Sequence, residues 1–347
     1  MSVTSACADL TLGLKLADVP ADAVKWAKWG ILDCTGVALA GSATETSAII
    51  NNYLEFVGGN PQARVLGLGV KTSAPEAAMA NGTLAHALDY DDVGGFGHPT
   101  AVLAPVIYAL ADLTKPSGKE ALEAYVAGYE VGNAMADRST IGKIDTKSWH
   151  LGWHPTGPYG TIGATATAAR LLKLTREQTI CAFGIAASEA CGIQKNFGTM
   201  TKPLHAGRAA ACGLEAVQLA KLGLTAAPDV FEHHAGYLAA LSPRGQADRT
   251  SACPQLGKTL RILDYGLSIK KYPTCYATHR VIDGVLDLRR DHGVSPQHVK
   301  AIRARIGVAQ ASMLRNHAPV TGLEAKFSLE FAVASALVHG QIGRAHV

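Results

Sequence analysis

The chain has 347 residues, of which 48% are hydrophobic and 17% are charged, a balance typical of a well-packed globular protein that excludes extended disorder. Its net charge of +4 comes from basic residues without a long basic run, and only 6% of residues are aromatic, so we expect no nucleic-acid partner. No uninterrupted apolar stretch approaches the roughly 18 residues that cross a bilayer, so we expect no membrane-spanning segment.

Cysteine usage and the start of the chain both favour a reducing compartment. The seven cysteines are scattered and never form a C-x-x-C pair, which argues against a disulfide framework and a structural zinc site. Residues 1–15 include Asp9 and lack a basic region followed by an apolar run, so we expect no signal peptide. We therefore predict a cytoplasmic protein.

Apolar residues at three- and four-residue spacing predict helices almost throughout the region from Val24 to about Ala240. These segments are rich in alanine and are separated by Gly and Pro. Small side chains let helices approach closely, so we expect a compact helical bundle. The clearest predicted helices are Ala21–Ala40, Ala74–Leu88, Glu120–Ala136, Thr161–Leu172, Glu177–Ala190 and Ala206–Leu222.

The polar segment Ser242–Lys258 contains two prolines and two glycines and predicts a crossing between domains. We therefore assign residues 1–258 to an all-helical domain and residues 259–347 to a smaller α/β lid domain. The protein as a whole is predicted to be mostly α.

The lid is predicted to run in the order strand, helix, strand, helix. Apolar and basic residues alternate over residues 299–306 as in a strand, and Thr278–Asp291 and Leu323–Val338 are predicted helices. Two strands are too few for a stable sheet, so we expect that a partner completes it or that the intact protein is longer. Residues 342–347 resemble a translated sequencing adapter and are left out of the fold prediction.

The first group of residues that can carry chemistry is 86–92, H-A-L-D-Y-D-D, followed by His98. His86 and Asp89 are three residues apart and are predicted to share a helical face. A carboxylate beside an imidazole tunes both pKa values, so Asp89 or His98 is a candidate acid, base or substrate anchor. The alternative is a solvated helix end with ordinary capping. A metal site is disfavoured, because the spacing matches no established metal-binding pattern.

The second group is residues 152–160, G-W-H-P-T-G-P-Y-G, before an alanine-rich helix predicted from Thr161. His154 lies in a Gly/Pro loop at a helix N-terminus, where free backbone N–H groups attract anions. The glycines lack dinucleotide-fingerprint spacing and no strand precedes them, so we expect no nicotinamide cofactor. The alternative is a tight helix–helix turn, which leaves the exposed-looking His154 unexplained.

The third group is residues 195–208, K-N-F-G-T-M-T-K-P-L-H-A-G-R, on a loop that leads into a long helix. Such a loop can present cations to carboxylates, and the helix dipole adds to the attraction. Lys202, His205 and Arg208 are therefore candidates for binding an anion. The alternative is a simple solvated basic loop.

The fourth group is residues 270–280, K-K-Y-P-T-C-Y-A-T-H-R. Cys275 beside cations is a candidate for a thiol of depressed pKa or for a hydrogen-bonding group. The alternative is a buried, inert cysteine in an ordinary turn.

Taken together, the four groups resemble the MmgE/PrpD family, in which H-A-L-D-x-D-D…H-P, G-x-H-P-T-G, K-N-F-G-T-M-T-K-P-L-H-A-G-R-A-A and K-x-Y-P-S/T-C-x-x-T-H occur in this order. The likeness extends from about Ala6 to His339 and includes residues 324–329, E-A-K-F-S-L. It implies an all-helical domain with a smaller α/β lid, a homodimer, an active site between the domains, and catalysis without a metal or cofactor.

The resemblance implies that active-site residues come from both domains. By motif position the catalytic candidates are Asp89, His98, His154 and Lys202. The substrate-binding candidates are Lys270 and Cys275 on the lid, together with Arg208 and His205. The chain departs from the family where Val93 replaces a frequent Thr, Phe331 replaces a frequent Tyr, and Cys275 stands where the decarboxylase has His, so decarboxylation is disfavoured.

The family's known reactions are dehydration, decarboxylation and epimerisation of small polycarboxylates, and all of them develop negative charge on a carbon beside a carboxylate. The expected stabilising cations are Lys202, Lys270 and Arg208. The predicted base is His154 or Asp89, with His98 as the acid. We predict first a hydro-lyase resembling 2-methylcitrate dehydratase. The alternatives are an epimerase of an iminodisuccinate-like dicarboxylate and, in another class, an inactive fragment that only binds ligand or a subunit.

Overall fold

Helices dominate the structure, a computed structural model that describes residues 2–139, 152–242, 246–251, 253 and 256–343. The prediction of a mostly α protein is therefore confirmed. The helices that precede residue 270 are α1 (Val3–Gly13), α2 (Ala21–Gly41), α3 (Glu45–Val57), α4 (Ala74–His86), α5 (Thr100–Thr114), α6 (Gly118–Arg138), α7 (Pro158–Leu171), α8 (Arg176–Glu189), α9 (Thr201–Lys221), α10 (Tyr237–Ala240) and α11 (Arg261–Asp264). The later helices are α12 (Tyr276–His292), α13 (Val308–Met313), α14 (Gly322–Ala325) and α15 (Leu329–His339).

Helices α4, α7 and α9 form the centre of the bundle. Helix α4 packs against α9, and α7 packs against both α6 and α9. A Cβ atom on Gly207 would overlap with the carbonyl oxygen of Met79, so only glycine lets α9 approach α4 this closely. The small side chains therefore have the close-packing role that the sequence predicts.

Capping explains where several helices begin. The hydroxyl of Ser117 accepts a hydrogen bond from the N–H of Glu120 at 3.2 Å, and the Glu120 carboxylate accepts one from the N–H of Ser117 at 2.9 Å. This capping box starts α6, and Thr175 with Gln178 forms a second one at the start of α8. Because such signals are local, the predicted helices of the bundle agree well with the observed ones.

A short antiparallel pair of strands, β1 (Ala63–Arg64) and β2 (Lys71–Thr72), interrupts the helices between α3 and α4. We did not predict it. Each strand has only two residues, too few to show the alternation that marks a strand in sequence.

Helices α12 and α15 pack together, and Ile282 and Val285 of α12 form a small apolar core with Ala332 and Ala336 of α15. The strands that we predicted here are wrong for the described residues: 299–306 belongs to no strand. No backbone hydrogen bond in the described ranges joins residues 300–306 to another segment. A strand exists only when a second strand supplies its hydrogen bonds, and alternation in sequence does not provide that partner.

The predicted helix Leu323–Val338 is broken into α14 and α15. The hydroxyl of Ser328 accepts a hydrogen bond from the N–H of Phe331 at 3.1 Å and caps the new helix. Lys326 lies in this break, and its Nζ donates to the carbonyl oxygen of Ala87, the residue that follows α4, at 3.0 Å.

Parts of two predicted segments lie outside the described residues. They are six residues of the predicted crossing Ser242–Lys258 and the last four of the adapter-like tail 342–347. Among the described helices, none combines the length and the apolar character that crossing a membrane requires.

Candidate active site

Asp89 lies at the centre of a buried group of charged side chains. Helix α4 ends at His86, and Asp89 follows in a turn with a φ of 50°, a left-handed conformation that Asp adopts more readily than most residues. The prediction that His86 and Asp89 share a helical face is therefore wrong, because the helix has already ended. The turn places the Asp89 carboxylate among side chains from other parts of the chain.

Two lysines bind this carboxylate. Lys202 Nζ donates to Asp89 Oδ1 at 2.8 Å, and Lys270 Nζ donates to the same oxygen at 3.1 Å and to the Asp89 backbone carbonyl at 2.6 Å. Burial alone would raise the pKa of Asp89, but the two ammonium groups outweigh burial and hold the pKa well below its usual value. Asp89 is therefore ionised, and the structure brings Lys202 and Lys270 together.

Lys202 reaches Asp89 from the first turn of α9, a helix that begins earlier than we predicted. We placed the start of this helix at Ala206, whereas the structure places it at Thr201. Lys202 and His205 consequently lie at the start of the helix and are buried. The alternative of a solvated basic loop is wrong for these two residues, although Lys195 is exposed.

A second carboxylate, Asp91, bridges two imidazoles. Asp91 Oδ1 is 2.8 Å from His86 Nδ1, and Asp91 Oδ2 is 3.0 Å from His98 Nδ1. On the far side of its ring, His86 Nε2 is 2.6 Å from Lys202 Nζ. Burial lowers the pKa of His86 to about 3 and also lowers that of His98, so both imidazoles are neutral near pH 7. His98 Nε2 lies 3.9 Å from Asp89 Oδ1, which joins the two carboxylates into one cluster.

His154 and His205 form a second imidazole pair, with their Nδ1 atoms 3.0 Å apart. The ring centroid of His154 is 6.0 Å from that of His86 and 6.2 Å from that of His98. His154 is only 3% exposed, so our description of it as exposed-looking is wrong. Burial and then the nearby Lys202 ammonium lower the pKa of both imidazoles, that of His205 to about 4.

The loop that carries His154 leads directly into α7, which begins at Pro158. The N–H of His154 donates to the carbonyl oxygen of Gly192 at 3.0 Å, which ties this loop to the segment before α9. A Cβ atom on Gly157 would overlap with the carbonyl oxygen of Cys191, so the glycine is required for that approach. The segment is therefore a tight turn with a glycine required for close packing, and it also carries the buried His154.

Cys275 lies at the start of α12 beside the cluster. Its N–H donates to the carbonyl oxygen of Lys326 at 2.9 Å, and its side chain packs with Leu314 and Phe327. Burial raises the pKa of the Cys275 thiol to about 11. The suggestion of a depressed pKa is therefore wrong, and the thiol is protonated near pH 7.

Arg208 is the one candidate that the structure keeps apart from the others. It lies six residues after Lys202 on α9, which places it about 120° away around the helix. Its Nη2 is 3.5 Å from Cys212 Sγ and 4.0 Å from Glu215 Oε2, and its side chain is 39% exposed.

Three buried residues of the site were absent from our candidates, namely His86, Asp91 and Lys326. His86 and Asp91 lie inside the 86–92 motif, and Lys326 lies inside the 324–329 motif, so their positions in these motifs were an available signal. Residue type within a motif did not reveal which of the three aspartates would bridge two imidazoles.

The cluster also contains atoms that could ligate a metal, since single donor atoms of His86, Asp89, Asp91 and His98 lie within 4.8 Å of one another. His86 and Asp89 already accept hydrogen bonds from Lys202. A divalent cation at this position would face the fixed charges of two ammonium groups. Lys202 therefore already occupies the His86 nitrogen and the Asp89 oxygen that a metal ion would need.

The fold and the cluster define a mostly helical protein in which buried lysines and imidazoles surround a carboxylate. The chain matches the MmgE/PrpD N-terminal domain over residues 5–250 and the MmgE/PrpD C-terminal domain over residues 272–347. The protein belongs to the MmgE/PrpD family, as its motifs predicted.

Curated relatives in this family match the chain over almost its whole length. A Mus musculus protein named cis-aconitate decarboxylase is 30% identical over 355 residues, which cover 98% of this chain and 70% of the relative. The Homo sapiens protein of the same name is 30% identical over 356 residues, covering 98% and 71%. An Aspergillus terreus cis-aconitate decarboxylase is 26% identical over 364 residues, covering 98% and 72%.

Proposed function

We propose that this protein is a cofactor-independent lyase that transfers a proton at a carbon beside a carboxylate of a small polycarboxylate. The observation that carries the proposal is the meeting of Lys202 and Lys270 at Asp89, with buried neutral imidazoles beside them. Ammonium groups stabilise the developing negative charge, and imidazoles accept and return the proton. The relatives named cis-aconitate decarboxylase support this substrate class.

Both ammonium groups have capacity left for a substrate. An ammonium has three N–H donors. Among the described residues, Lys202 uses two of them on Asp89 and His86, and Lys270 uses two on the side chain and backbone of Asp89. One donor on each lysine therefore remains for the carboxylates of a bound acid.

A neutral imidazole is the better candidate for the base. Asp89 was one of our two predicted bases, but its pKa lies well below the usual range, and a carboxylate held ionised so strongly accepts a proton poorly. We therefore assign proton abstraction to a neutral imidazole, that of His98 or His154. Once protonated, the same group can return the proton as an acid.

Elimination of water is the finer reaction that we propose. The base takes a proton from carbon, the C–H electron pair forms the C=C bond, the C–O bond breaks, and the leaving hydroxide takes up a proton as water. Asp89 Oδ2 is buried and has no hydrogen-bond partner among the described residues. It can accept a hydrogen bond from a substrate hydroxyl, which fits a hydroxy acid.

Decarboxylation is the second candidate, because the relatives carry that name. The resemblance places an imidazole of the decarboxylase at the position of Cys275. A buried thiol with a pKa of about 11 is a poor replacement for that imidazole. Epimerisation of a dicarboxylate needs the same proton transfer without loss of a group, so one assay has to separate all three reactions.

The test incubates the purified protein in D2O with 2-methylcitrate, cis-aconitate or an iminodisuccinate-like dicarboxylate. Loss of water gives an alkene that absorbs in the ultraviolet, decarboxylation releases CO2, and epimerisation incorporates deuterium without either product. We expect alkene formation from the hydroxy acid. CO2 release or deuterium exchange alone would replace the hydro-lyase by the corresponding alternative. Absence of all three products, with citrate still raising the melting temperature, would leave only a ligand-binding fragment.

A pair of variants on one helix tests the site. Lys202→Met should lower kcat/KM by about 10²- to 10³-fold, the usual effect of removing one charge-stabilising donor. Lys221→Met is the control, because Lys221 is exposed at the other end of α9 and, within the described part of the chain, donates only to the carbonyl oxygen of Leu172. Equal activity of the two variants would contradict the site.

The homodimer and the cytoplasmic location stay predictions. Light scattering would test the homodimer.

A further inference from the structure

Asp91 has no exposed surface and uses both carboxylate oxygens on imidazoles. It touches neither lysine of the cluster within ion-pair distance among the described residues, unlike Asp89. The ring centroids of the two imidazoles it bridges, His86 and His98, are 4.2 Å apart. Asp91 therefore supports two rings that themselves lie beside Asp89 and Lys202.

The environment of His98 determines which of its nitrogens carries the proton. Its Nδ1 is 3.0 Å from Asp91 Oδ2 and 3.1 Å from the backbone carbonyl oxygen of Asp92. A carboxylate and a carbonyl only accept hydrogen bonds, so Nδ1 must carry the hydrogen. In the neutral ring, Nε2 then has a free lone pair, and this is the nitrogen that lies 3.9 Å from Asp89 Oδ1.

The environment of His86 gives the same result from the opposite side of the ring. Its Nε2 is 2.6 Å from Lys202 Nζ, and an ammonium group can only donate. Nε2 must therefore accept, which leaves the hydrogen on Nδ1, 2.8 Å from Asp91 Oδ1. One ionised carboxylate thus accepts from the Nδ1–H of His86 and lies 3.0 Å from Nδ1 of His98, whose hydrogen also faces the Asp92 carbonyl.

We infer that Asp91 is a positioning residue that holds His86 and His98 in the tautomer with hydrogen on Nδ1. This leaves Nε2 of His98 as the proton acceptor of the reaction and Nε2 of His86 as the acceptor that orients the Lys202 ammonium. The inference rests on the proposed function only in the assignment of His98 as the base. The tautomers themselves do not depend on any substrate.

Asp91→Asn probes this role because a carboxamide has the same shape but only one accepting oxygen and an NH2 group that donates. It can satisfy the Nδ1–H of one imidazole and not of both. His86 Nδ1 lies 2.8 and 3.0 Å from the two Asp91 oxygens, so in either orientation of the amide the NH2 group faces this nitrogen, and His86 moves its hydrogen to Nε2 and presents an N–H to the ammonium of Lys202. His98 keeps the Asp92 carbonyl as an acceptor for its Nδ1–H but loses the carboxylate beside it. We therefore expect kcat to fall by about 10²- to 10⁴-fold, with a much smaller change in KM.

Asp92→Asn is the matched control. Asp92 is equally buried, and burial followed by the charge of Asp91 raises the pKa of its carboxyl well above the usual value. The side chain is therefore protonated and neutral, so an amide of the same shape should alter kcat by no more than a few fold. Its backbone carbonyl, which His98 uses, is unchanged by the substitution.

The decisive measurement is the tautomer of each imidazole in the substrate-free wild-type protein. Long-range ¹H–¹⁵N correlation spectra of protein labelled with ¹⁵N-histidine distinguish a protonated ring nitrogen from an unprotonated one. His86→Gln and His98→Gln each remove one set of signals and so assign them. We expect both rings to be neutral with hydrogen on Nδ1 near pH 7.5, and His86 to change tautomer in Asp91→Asn, since Asp91 provides its acceptors on Nδ1 among the described residues.

Either ring with hydrogen on Nε2 in the wild-type protein would overturn the inference, even if Asp91→Asn failed to fold. A folded Asp91→Asn variant with the kcat of Asp92→Asn would also overturn it. If wild-type protein turned over none of the acids, the proposed function would fall, while the spectra would still decide whether Asp91 fixes the two rings.

Discussion

Replacing Lys270 by Met tests the charge cluster without knowledge of the substrate. Met keeps much of the apolar length of the side chain but removes the ammonium group. That group lies 3.1 Å from Asp89 Oδ1 and 2.6 Å from the Asp89 backbone carbonyl, in a side chain with no exposed surface. In the variant, Lys202 is the one lysine or arginine of the described residues still paired with Asp89, and the buried Asp89 backbone carbonyl loses a donor.

Breaking a buried ion pair from one side costs about 3–5 kcal/mol, because the remaining charge stays desolvated. A chain of 347 residues unfolds with an entropy of about 0.7 kcal/mol per kelvin. The melting temperature of Lys270→Met should therefore fall by about 4–7 °C. The next residue, Lys271, is 68% exposed in its ion pair with Asp283, so Lys271→Met should lose less than about 1 kcal/mol and shift the melting temperature by less than about 1.5 °C.

Differential scanning calorimetry of wild type, Lys270→Met and Lys271→Met in the same buffer at pH 7.5 measures both shifts. The neighbouring variants change the same residue type one position apart, so the comparison isolates burial and the contact with Asp89. Equal melting temperatures for the two variants would refute the reasoning that Lys270 holds an ionised, buried Asp89.

Two further predictions concern stability. Burial lowers the pKa of His279 to about 4, so the stability that its neutral form contributes is complete above pH 6.5 and is lost as pH falls toward 4. Between pH 7 and pH 4 the free energy of unfolding of wild type should therefore fall by about 3 kcal/mol more than that of His279→Gln. If chemical denaturation gave the same difference between the two proteins at every pH, the burial effect would be contradicted. Gly207→Ala should destabilise the protein by about 1–3 kcal/mol, because its Cβ overlaps with Met79. Gly284→Ala, at an exposed position of α12 with no atom near its Cβ, should stabilise it by up to about 1 kcal/mol. The same effect of both substitutions in urea unfolding would show that the approach of α9 to α4 does not limit side-chain size.

The helices were predictable from sequence because their signals are local. Apolar spacing predicted α2 as Ala21–Ala40, and the structure has Ala21–Gly41. The start of α9 was missed because Lys202 and His205 were assigned to the loop that leads into the helix. Pro203 lies in the first turn, where its missing N–H removes no helical hydrogen bond.

The strand predicted over residues 299–306 failed for the opposite reason. Local alternation describes which side chains share a face, but a strand also needs a partner whose position depends on the rest of the fold. No such partner pairs with these residues in the described part of the chain.

The sequence by itself determined the family, the mostly helical fold and the residue types available for chemistry, because motifs and helical spacing are written in consecutive residues. Only the tertiary structure decided which of those residues meet. Asp89 and Lys202 are 113 positions apart and touch because α4 and α9 pack closely, whereas Arg208 on the same helix as Lys202 points elsewhere. Distances between remote side chains depend on how helices dock, and that docking is the sum of many small contacts across the core.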